Sequence, residues 1–420
     1  MRIDGITELK NTDGKFAVEN FFSFCDTAVG IFAEKDRLVA APHVKTLCRL
    51  PDGLRAVKAF SVDGQLIVYC SDGKLYYKEK EKENDENECV FRPFPVPAFK
   101  NVPKVFGMIY DGEKTVVAVD KDGAYAVNST VNKISLVKGD DYLFCSGTLF
   151  VASKSKIYVY YSDDVSGVNL DLMKAVIVSV PKSKGNAARL IEHDGSIIAV
   201  CQRGFARIEK SADDMGFTFK EITVKPLRPL SETAVSMGDK IIFKEADKLY
   251  ALKNGLTEIE GLLDRNSYTV CGNSVKKDEY YLMPVLNGAG EKFIYCYDAL
   301  NGKDCFISAL NMLLSEDGYV ISVSDGAAGV ISSDKEQSEK VYKSVVTDFN
   351  VSGEKTLYGV LADINCEAEM IINGDGVKRS FLLKKGKNRC EVFIKAEEFS
   401  CEITSFAEDF EITKLIFYYR

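Results

Sequence analysis

The chain of 420 residues contains no tryptophan, although it has 20 tyrosines and 25 phenylalanines. Without Trp it cannot carry the Trp-Asp signature of WD40 repeats. A sugar-binding platform is also disfavoured, because Trp is a favoured face for apolar stacking and Tyr or Phe replaces it less well. The absence of Trp therefore excludes WD40 repeats and makes a sugar ligand a less favoured class for this sequence.

Histidine is almost as scarce, with only His43 and His193 in the whole chain. A nucleophile–His–acid triad would have to use one of these two, and their sequence neighbours favour neither. His193 lies in a Glu-His-Asp-Gly turn, where a solvent-exposed role is expected. The sequence also lacks metal-ligand spacings, phosphate-binding glycine loops and a Gly-x-Ser-x-Gly motif. We therefore predict no catalytic residue, no metal site and no cofactor.

Long hydrophobic runs are missing as well. No stretch approaches the ~18 apolar residues that a membrane-spanning helix needs, and the opening MRIDGITELKNTDGKF lacks the apolar core of a signal peptide. Acidic residues outnumber Lys and Arg by 62 to 54, which disfavours duplex binding because phosphate contacts need a concentrated basic face. We expect synthesis in the cytoplasm, no membrane association and no nucleic-acid partner.

The twelve cysteines show no C-x-x-C pair and no regular spacing. Several stand inside apolar strand patterns such as IVYC, IIAVC and FIYCYD, where free cysteines behave as small core residues. We expect buried, reduced thiols, with a disulfide framework as the minority alternative.

What the sequence does contain is a recurring unit of turn, apolar strand, second turn and second strand. The unit is anchored at seven turns: Asp63, Asp111, Gly147, Asp194, Gly238, Asp278 and Asp317. The anchors follow one another at roughly 42 residues, the length of a four-stranded propeller blade. The pattern predicts an all-β fold with a β-propeller of seven blades, or six if one unit is degenerate. Each hairpin is predicted to be the inner half of a blade, and segment 21–50 to supply a strand that closes the ring.

Two stretches within the repeats, 170–178 and 306–314, are the exceptions to the strand pattern, and each is predicted to be a short helix or a turn between blades.

The Asp-Gly turns raise a functional alternative, because a propeller can bring carboxylates from separate blades to its channel, as in many propeller glycosidases. The candidates are Asp63, Asp111, Asp194 and Asp317. We favour the structural role, since Asp-Gly supplies the positive φ of tight hairpin turns.

After residue 340 the pattern changes to seven short candidate strands separated by turns such as NGDG and KKGKN. About eighty residues of this kind suit a small antiparallel β-sandwich. We therefore divide the chain into a propeller over 1–340, with 1–50 as its N-terminal segment, and a sandwich over 341–420.

Two charged stretches are candidates for contacts with partners. The alternating and then acidic run at 78–88 is predicted to be a long loop, and 78–99 to be a rim surface. The C-terminal domain is locally basic at Lys378, Arg379, Lys384, Lys385, Lys387 and Arg389. A solvated surface is the favoured interpretation of both, and binding to a partner is the alternative.

Both ends of the chain resemble structural proteins encoded in prophages of Gram-positive gut bacteria. At the start, 5–37 matches their opening pattern at Asp13, Gly14, Phe16, Asn20, Asp26 and Arg37. The tyrosine–proline pair of that opening is absent, and FFSFCDTAVGIF stands in its place. At the end, 391–420 resembles their terminal β-domain.

The resemblance implies a non-enzymatic structural or adaptor protein of a prophage particle, at the tail or head–tail region. Its partners would be other phage structural proteins and further copies of itself, assembled into a virion after synthesis in the bacterial cytoplasm. Two alternatives remain: a propeller glycoside hydrolase or lyase, which needs three or more close carboxylates at one channel mouth, and a cellular partner-binding propeller scaffold.

Overall fold

The computed structural model describes residues 16–19, 25–34, 37–79, 90–161, 175–211, 216–222, 227–264, 267–308, 312–323, 326–334, 337–349 and 353–420. These residues form an all-β protein, with short 3-10 helices at Ser231–Thr233 and Leu262–Asp264. In this part of the chain no helix has the length and apolar character needed to cross a membrane.

The repeats fold as a seven-bladed propeller, which confirms the predicted fold class. Each blade is an antiparallel sheet, numbered here in chain order. Blades one to three comprise β6 (Ala56–Val62), β7 (Gln65–Cys70), β8 (Leu75–Lys78) and β9 (Phe91–Pro93); β10 (Lys104–Tyr110), β11 (Glu113–Val119), β12 (Ala124–Val127) and β13 (Val131–Ile134); and β14 (Asp141–Cys145), β15 (Thr148–Ser153), β16 (Lys156–Tyr161) and β17 (Val176–Ser179).

Blades four to six continue the series. They comprise β18 (Ala187–His193), β19 (Ser196–Cys201), β20 (Gly204–Lys210) and β21 (Phe217–Glu221); β22 (Val235–Met237), β23 (Lys240–Glu245), β24 (Lys248–Leu252) and β25 (Leu256–Ile259); and β26 (Thr269–Val270) and β27 (Val275–Lys277), both paired with β28 (Tyr280–Leu286), then β29 (Lys292–Asp298) and β30 (Lys303–Ser308).

Blade seven is built from both ends of the repeat region. Its first three strands are β31 (Met312–Leu314), β32 (Tyr319–Ser322) and β33 (Ala327–Ser332), and its fourth is β5 (His43–Arg49) from the N-terminal segment. Strand β5 runs antiparallel to β33, with Val44 opposite Ile331. This pairing closes the ring, because the segment that leads into blade one supplies the outer strand of blade seven.

The repeated hairpin is the middle pair of strands of each blade, and the prediction that it forms the inner half was wrong. The strand before each anchor turn lies innermost, and these first strands contact one another from blade to blade around the ring. They were missed because a strand beside a polar channel is less uniformly apolar than the two strands that follow it.

The stretches predicted as helix or turn contain strands where they are described. Val176–Ser179 is β17, and 306–314 contributes to β30 and β31. Residues 170–174 and 309–311 of these stretches lie outside the described residues.

The anchor turns have the backbone conformation that their sequence predicts. Asp63 and Gly64 have φ of 49° and 73°, and Asp194 and Gly195 have 49° and 67°. Two consecutive positive φ values define the type I′ turn that suits the twist of a two-residue hairpin. The Asp-Gly pairs at 63–64, 111–112 and 194–195 therefore fit the geometry of their turns, whereas at 317–318 the glycine alone has a positive φ, of 76°.

The remaining strands form two further sheets. These strands are β1 (Phe16–Glu19), β2 (Cys25–Val29), β3 (Ile31–Ala33), β4 (Leu38–Ala40), β34 (Lys340–Ser344), β35 (Lys355–Ile364), β36 (Ala368–Gly374), β37 (Val377–Leu383), β38 (Gly386–Ala396), β39 (Phe399–Ser405) and β40 (Glu411–Tyr419). One sheet has the order β37-β36-β39-β34-β2, and the other β3-β4-β40-β35-β38 with β1 also paired to β40. Both ends of the chain thus share this β-sandwich, and the division at residue 340 stays a prediction.

An aromatic cluster fills the sandwich. The ring of Phe349 stacks on Phe399 of one sheet at 5.5 Å and on Tyr419 of the other at 5.2 Å, measured between ring centroids. Along β39 the side chains alternate between buried and half-buried, as expected for a sheet with one face toward a core.

A continuous sheet joins the sandwich to the propeller. Strand β2 lies between β34 of the sandwich and β30 of blade six. Val29 pairs with Phe306, and the Gly30 N–H donates to the Phe306 carbonyl oxygen at 2.7 Å. The apolar core also continues across this boundary. The two units are therefore joined by backbone hydrogen bonds and by shared apolar burial.

We expect Gly329→Ala to weaken ring closure. A Cβ at Gly329 would lie 2.6 Å from the Lys45 carbonyl oxygen, so β5 would have to move away from β33. Overpacking of this kind costs about 1–3 kcal/mol in the free energy of unfolding. Urea denaturation followed by circular dichroism measures the loss.

The matched control is Gly288→Ala, because a Cβ there meets nothing within 4 Å. It should change the unfolding free energy by less than about 0.5 kcal/mol. Equal stability of the two variants would show that the β5–β33 contact does not limit stability.

Candidate functional site in the central channel

The four candidate turn carboxylates lie at the ends of innermost strands, on one face of the propeller. Within the described ranges, no hydrogen bond or ion pair joins any two of them. Asp63 lies 3.6 Å from the Lys114 ammonium of the next blade, and both side chains are exposed. Asp317 of blade seven accepts hydrogen bonds from the Ser61 hydroxyl and, at 3.2 Å, from the Gly64 N–H of blade one. The turn carboxylates therefore stabilise turns and contacts between blades.

The two histidines lie in different blades. His43 is buried in β5 of blade seven. His193 ends β18, and its Nδ1 lies 3.0 Å from the Ser236 hydroxyl of blade five. Burial lowers the pKa of His193, although Asp194 acts in the opposite direction. The structure thus places His193, predicted to be exposed, in a half-buried contact between blades four and five.

A different set of charged residues meets inside the ring, and we call it the channel cluster. Its members are Lys58, Lys104, Asp141, Arg189 and Glu316, from blades one, two, three, four and seven. Lys58 and Arg189 lie three blades apart, the largest separation in a seven-membered ring, yet each influences the same carboxylate, Glu316. Four of the five residues stand on innermost strands, and Glu316 stands in the turn that follows one; these strands contact one another around the channel.

Two β-bulges help to position this cluster. The pairing of β6 with β7 is irregular between Ala56 and Lys58, and that of β18 with β19 between Ala187 and Arg189. A bulge adds a residue to one strand and redirects the side chain that follows. The same irregularity thus precedes Lys58 and Arg189 on blades one and four.

The two carboxylates of the cluster accept backbone hydrogen bonds from neighbouring innermost strands. Asp141 Oδ2 accepts the Leu190 N–H, and Glu316 Oε2 accepts the Ser61 N–H, each at 2.7 Å. These N–H groups lie on strand edges that face the channel and have no partner strand there. Burial raises the pKa of both carboxyl groups, while the N–H donors and nearby cations lower it.

Arg189 connects three blades through backbone carbonyls. Its guanidinium donates to the Glu232 oxygen at 2.7 Å, to Ser231 at 3.4 Å and to Ser274 at 3.3 Å. The buried Tyr281 hydroxyl bonds nearby to the Thr233 oxygen at 2.9 Å and to the Ser274 hydroxyl at 3.1 Å. Arg189 thereby joins blade four to the segments that lead into blades five and six.

The cluster contains two carboxylates and three cations. A propeller hydrolase was expected to show three or more close carboxylates, and Asp141 and Glu316 are a pair on blades that are not adjacent. Over the described ranges, no group of three or more His, Cys, Asp or Glu side chains could hold a metal ion. The chemistry available in the channel is therefore that of a cation-rich, water-accessible passage.

The sandwich presents a second candidate surface. Large apolar side chains are most exposed at Leu382 (70%), Phe393 (64%), Phe406 (63%) and Val346 (62%) of this unit, and at Leu300 (80%) of the propeller. Leu382 and Phe406 line one groove of about 560 Å³, which we call the sandwich groove. Its lining comprises Gln337, Glu367, Ala368, Glu369, Leu382, Thr404, Ser405, Phe406 and Ala407.

The predicted basic residues lie on β37, on β38 and in the turn between them. Lys384 and Lys385 follow closely after Leu382 of the groove, whereas Lys378 and Arg379 lie at the other end of β37. Strands β37 and β38 are the outer strands of their sheets. None of the six cations has an ion-pair partner within 4.0 Å among the described residues. Charged outer strands protect a sheet against pairing with other chains. This protection explains the basic residues as a solvated surface, without a binding partner.

Only part of the predicted rim surface 78–99 can be placed. Phe91, Phe94 and Phe99 are buried in the propeller, and the Phe94 N–H donates to the Leu75 carbonyl at 2.7 Å. These residues belong to the blade core, so this part of 78–99 does not form a rim surface, and the protruding contact considered as the alternative for 78–88 stays untested. Residues 80–89 lie outside the described residues.

In the part of the chain that the structure describes, ten cysteines are free thiols and seven of these are buried, in agreement with the sequence prediction. Burial raises the pKa of Cys70 and of Cys201 to about 12, so neither forms a reactive thiolate near neutral pH. Cys48 is the exception, because it takes part in a disulfide bond.

No protein-family model matches the chain, and no curated protein sequence matches it. Among solved structures, the AfRom2 CNH domain is 13% identical, with 69% of this chain and 98% of that chain covered and a TM-score of 0.43. YCF48 bound to D1 peptide is 11% identical, with 69% and 95% covered and a TM-score of 0.41.

PorZ of the type-IX secretion system of Porphyromonas gingivalis is 10% identical, with 81% of this chain covered and a TM-score of 0.41. This chain spans 46% of that chain's length. Similarity at this level carries no information about function.

We expect Asp141→Asn and Asp141→Ala to have different effects. Asparagine keeps an oxygen acceptor for the Leu190 N–H, whereas alanine leaves this buried donor unpaired, at a cost of about 1–3 kcal/mol in unfolding free energy at pH 7. Because folding raises the pKa of Asp141, the protonated carboxyl is favoured in the folded state. Stability from this group is complete below about pH 4 and is lost as the pH rises through the folded-state pKa.

The asparagine variant should therefore equal or exceed the original protein in stability at pH 7, with the difference shrinking toward pH 4. Urea denaturation at several pH values, followed by circular dichroism because the chain has no Trp, measures this. If Asp141→Asn were as unstable as Asp141→Ala at pH 7, the negative charge itself would be required.

Proposed function

We propose that the protein is a non-enzymatic adaptor of a prophage particle, at its tail or head–tail region, which acts through protein–protein contacts. One observation carries this proposal: the two chain segments that resemble prophage structural proteins meet in one sandwich. Strand β1 pairs with β40 along its length, and Phe16 stacks on Tyr419 at 5.6 Å. Arg37 donates to the Glu411 carboxylate at 3.3 Å. Motifs at opposite chain ends thus contribute to a single structural unit.

The joint between sandwich and propeller supports an adaptor role. An adaptor must hold its partners at a fixed distance and orientation, which a flexible linker between two units does not achieve. Here β2 is hydrogen-bonded to β30 on one side and to β34 on the other. A Cβ at Gly30 would lie 2.5 Å from the Glu339 carbonyl oxygen, so the chain segments at this joint are in close contact.

The sandwich groove is the surface we assign to a neighbouring structural protein of the particle. Exposed apolar side chains that lie singly need no explanation, but Leu382 and Phe406 share one groove. Partner burial of such side chains is the usual source of affinity in protein interfaces. Lys384 and Lys385 follow closely after Leu382 in the chain, where acidic groups on the partner would complement them.

Two alternatives remain distinct from this proposal. A cellular partner-binding scaffold would use the same surfaces, and neighbouring genes for portal, capsid or tail proteins would favour the particle instead. A glycoside hydrolase or lyase would rely on Asp141 and Glu316, the two channel carboxyls with raised pKa.

The proposal predicts that the protein is part of a particle. Treating the source strain with a DNA-damaging agent and purifying particles on a density gradient should yield peptides of this chain at a fixed ratio to capsid and tail proteins. That ratio would also give its copy number and hence the symmetry of any homo-oligomer. Its absence from abundant, intact particles would refute the particle assignment.

The same experiment tests the sandwich groove. The double variant Leu382→Asp, Phe406→Asp should fold and yet be depleted from particles at least about tenfold, because two buried apolar contacts become charged. Leu300→Asp is the matched control, since Leu300 is exposed on the propeller. Equal incorporation of both variants would exclude the groove as the docking surface.

A further inference from the structure

We propose that the central channel holds a binding site for a compact oxyanion, a carboxylate or phosphate group, between Lys58 and Lys104. Nothing in the proposed adaptor role requires such a site, and the inference stands on the channel cluster alone. Lys58 lies on the innermost strand of blade one and Lys104 on that of blade two. These two strands are in contact, since a Cβ at Gly107 of β10 would lie 2.7 Å from the Val62 side chain of β6, and both lysines lie in the first half of their strands.

These two lysines differ from the other members of the cluster in their hydrogen bonds. Asp141 and Glu316 each accept a backbone N–H, and Arg189 donates to three backbone carbonyls. By contrast, neither Lys58 nor Lys104 has a side-chain hydrogen bond or an ion pair within 4.0 Å among the described residues. The Lys58 side chain is half-buried and the Lys104 side chain is exposed, and an oxyanion between them would supply an acceptor for both ammonium groups.

The electrostatics of the cluster favour an anion over a cation. Its three cations outnumber its two carboxylates. Burial lowers the pKa of Lys58, Glu316 raises it, and Lys104 and Arg189 lower it further. Repulsion between like charges of this kind is relieved when an anion binds between them. The bulge before Lys58 supports a directed side chain, since bulges commonly redirect residues at functional sites.

Ligand access to the cluster is open. Glu316 and Lys104 are both exposed to water, and Lys58 is half-buried. The cluster is therefore in contact with solvent. An acidic group carried on a small molecule or on the tip of a partner's loop can therefore reach the two lysines.

The test uses the full chain and inorganic sulfate, whose charge is constant between pH 5 and 8. Isothermal titration with sulfate, against chloride at equal ionic strength, should show one saturable site. Lys58→Met and Lys104→Met keep the aliphatic stem and remove the charge. Each should weaken sulfate binding about tenfold, because each removes one charge-assisted hydrogen bond.

Lys156→Met is the matched control, because Lys156 is an exposed lysine on blade three. It should leave sulfate affinity within about twofold of the original protein, and Lys104→Arg should restore binding, since both results follow from local charge. Unchanged circular dichroism of each variant excludes misfolding. Sulfate binding that is no stronger than chloride binding, or equal in Lys58→Met and Lys156→Met, would overturn the proposal.

Two further arms define the ligand. Acetate in place of sulfate tests whether a carboxylate suffices, and loss of its binding in the same lysine variants assigns it to the same site. Sulfate affinity should also rise as the pH falls from 8 to 5. Burial raises the pKa of Asp141 and of Glu316, so these carboxyl groups are protonated more readily as the pH falls, and less negative charge then competes with the anion. Affinity that falls over this range would contradict a site formed by these five groups.

Discussion

The segment from Cys25 to Arg49 is the element on which both units depend. Its strands β2 to β4 complete the two sheets of the sandwich, and β5 then closes the propeller as the fourth strand of blade seven. A propeller without a closing strand and a sandwich without its outer strands would both expose unpaired N–H and C=O groups, which are templates for aggregation. One stretch of chain near the N-terminus removes both hazards. It also links them, because Gly30 bonds to blade six while Ala41 donates back to the Gly30 carbonyl.

Inside the ring, side chains supply the hydrogen bonds that the strand edges facing the channel cannot form with another strand. Innermost strands have no partner on the channel side, so their N–H groups need other acceptors. Asp141 and Glu316 supply them between blades three and four and between seven and one, and Arg189 donates to carbonyls before blades five and six. The charges are retained at the cost of partial desolvation, visible as raised carboxyl pKa values. Once these groups are engaged with backbone, Lys58 and Lys104 are left without equivalent partners.

The fold was largely predictable from the sequence because its main signals are local. Each Asp-Gly turn and each apolar strand pair can be read within about twenty residues, and their spacing predicts the blade. The innermost strands could not be assigned in this way. Strand β6, with the sequence AVKAFSV, contains Lys58. A strand covered by apolar residues on both faces would not be expected to carry a charged residue at this position. The channel cluster could not be assembled either, since its five members are spread from residue 58 to 316 and meet only after the ring closes. The available signal was a charged residue in several of the strands that precede anchor turns, such as Lys58 in β6, Lys104 in β10 and Arg189 in β18.

Blade six connects the two candidate binding regions. At the channel edge of its sheet, the Ser274 carbonyl beside β27 accepts a hydrogen bond from Arg189. At the outer edge, the Phe306 carbonyl of β30 accepts one from Gly30 at the joint with the sandwich. Between them lie β28 and β29, whose side chains Tyr281, Tyr295 and Cys296 are fully buried. A close-packed sheet of this kind deforms little. The channel and the sandwich are therefore held at a fixed distance, and a partner bound at each would be held in a defined arrangement by this one sheet.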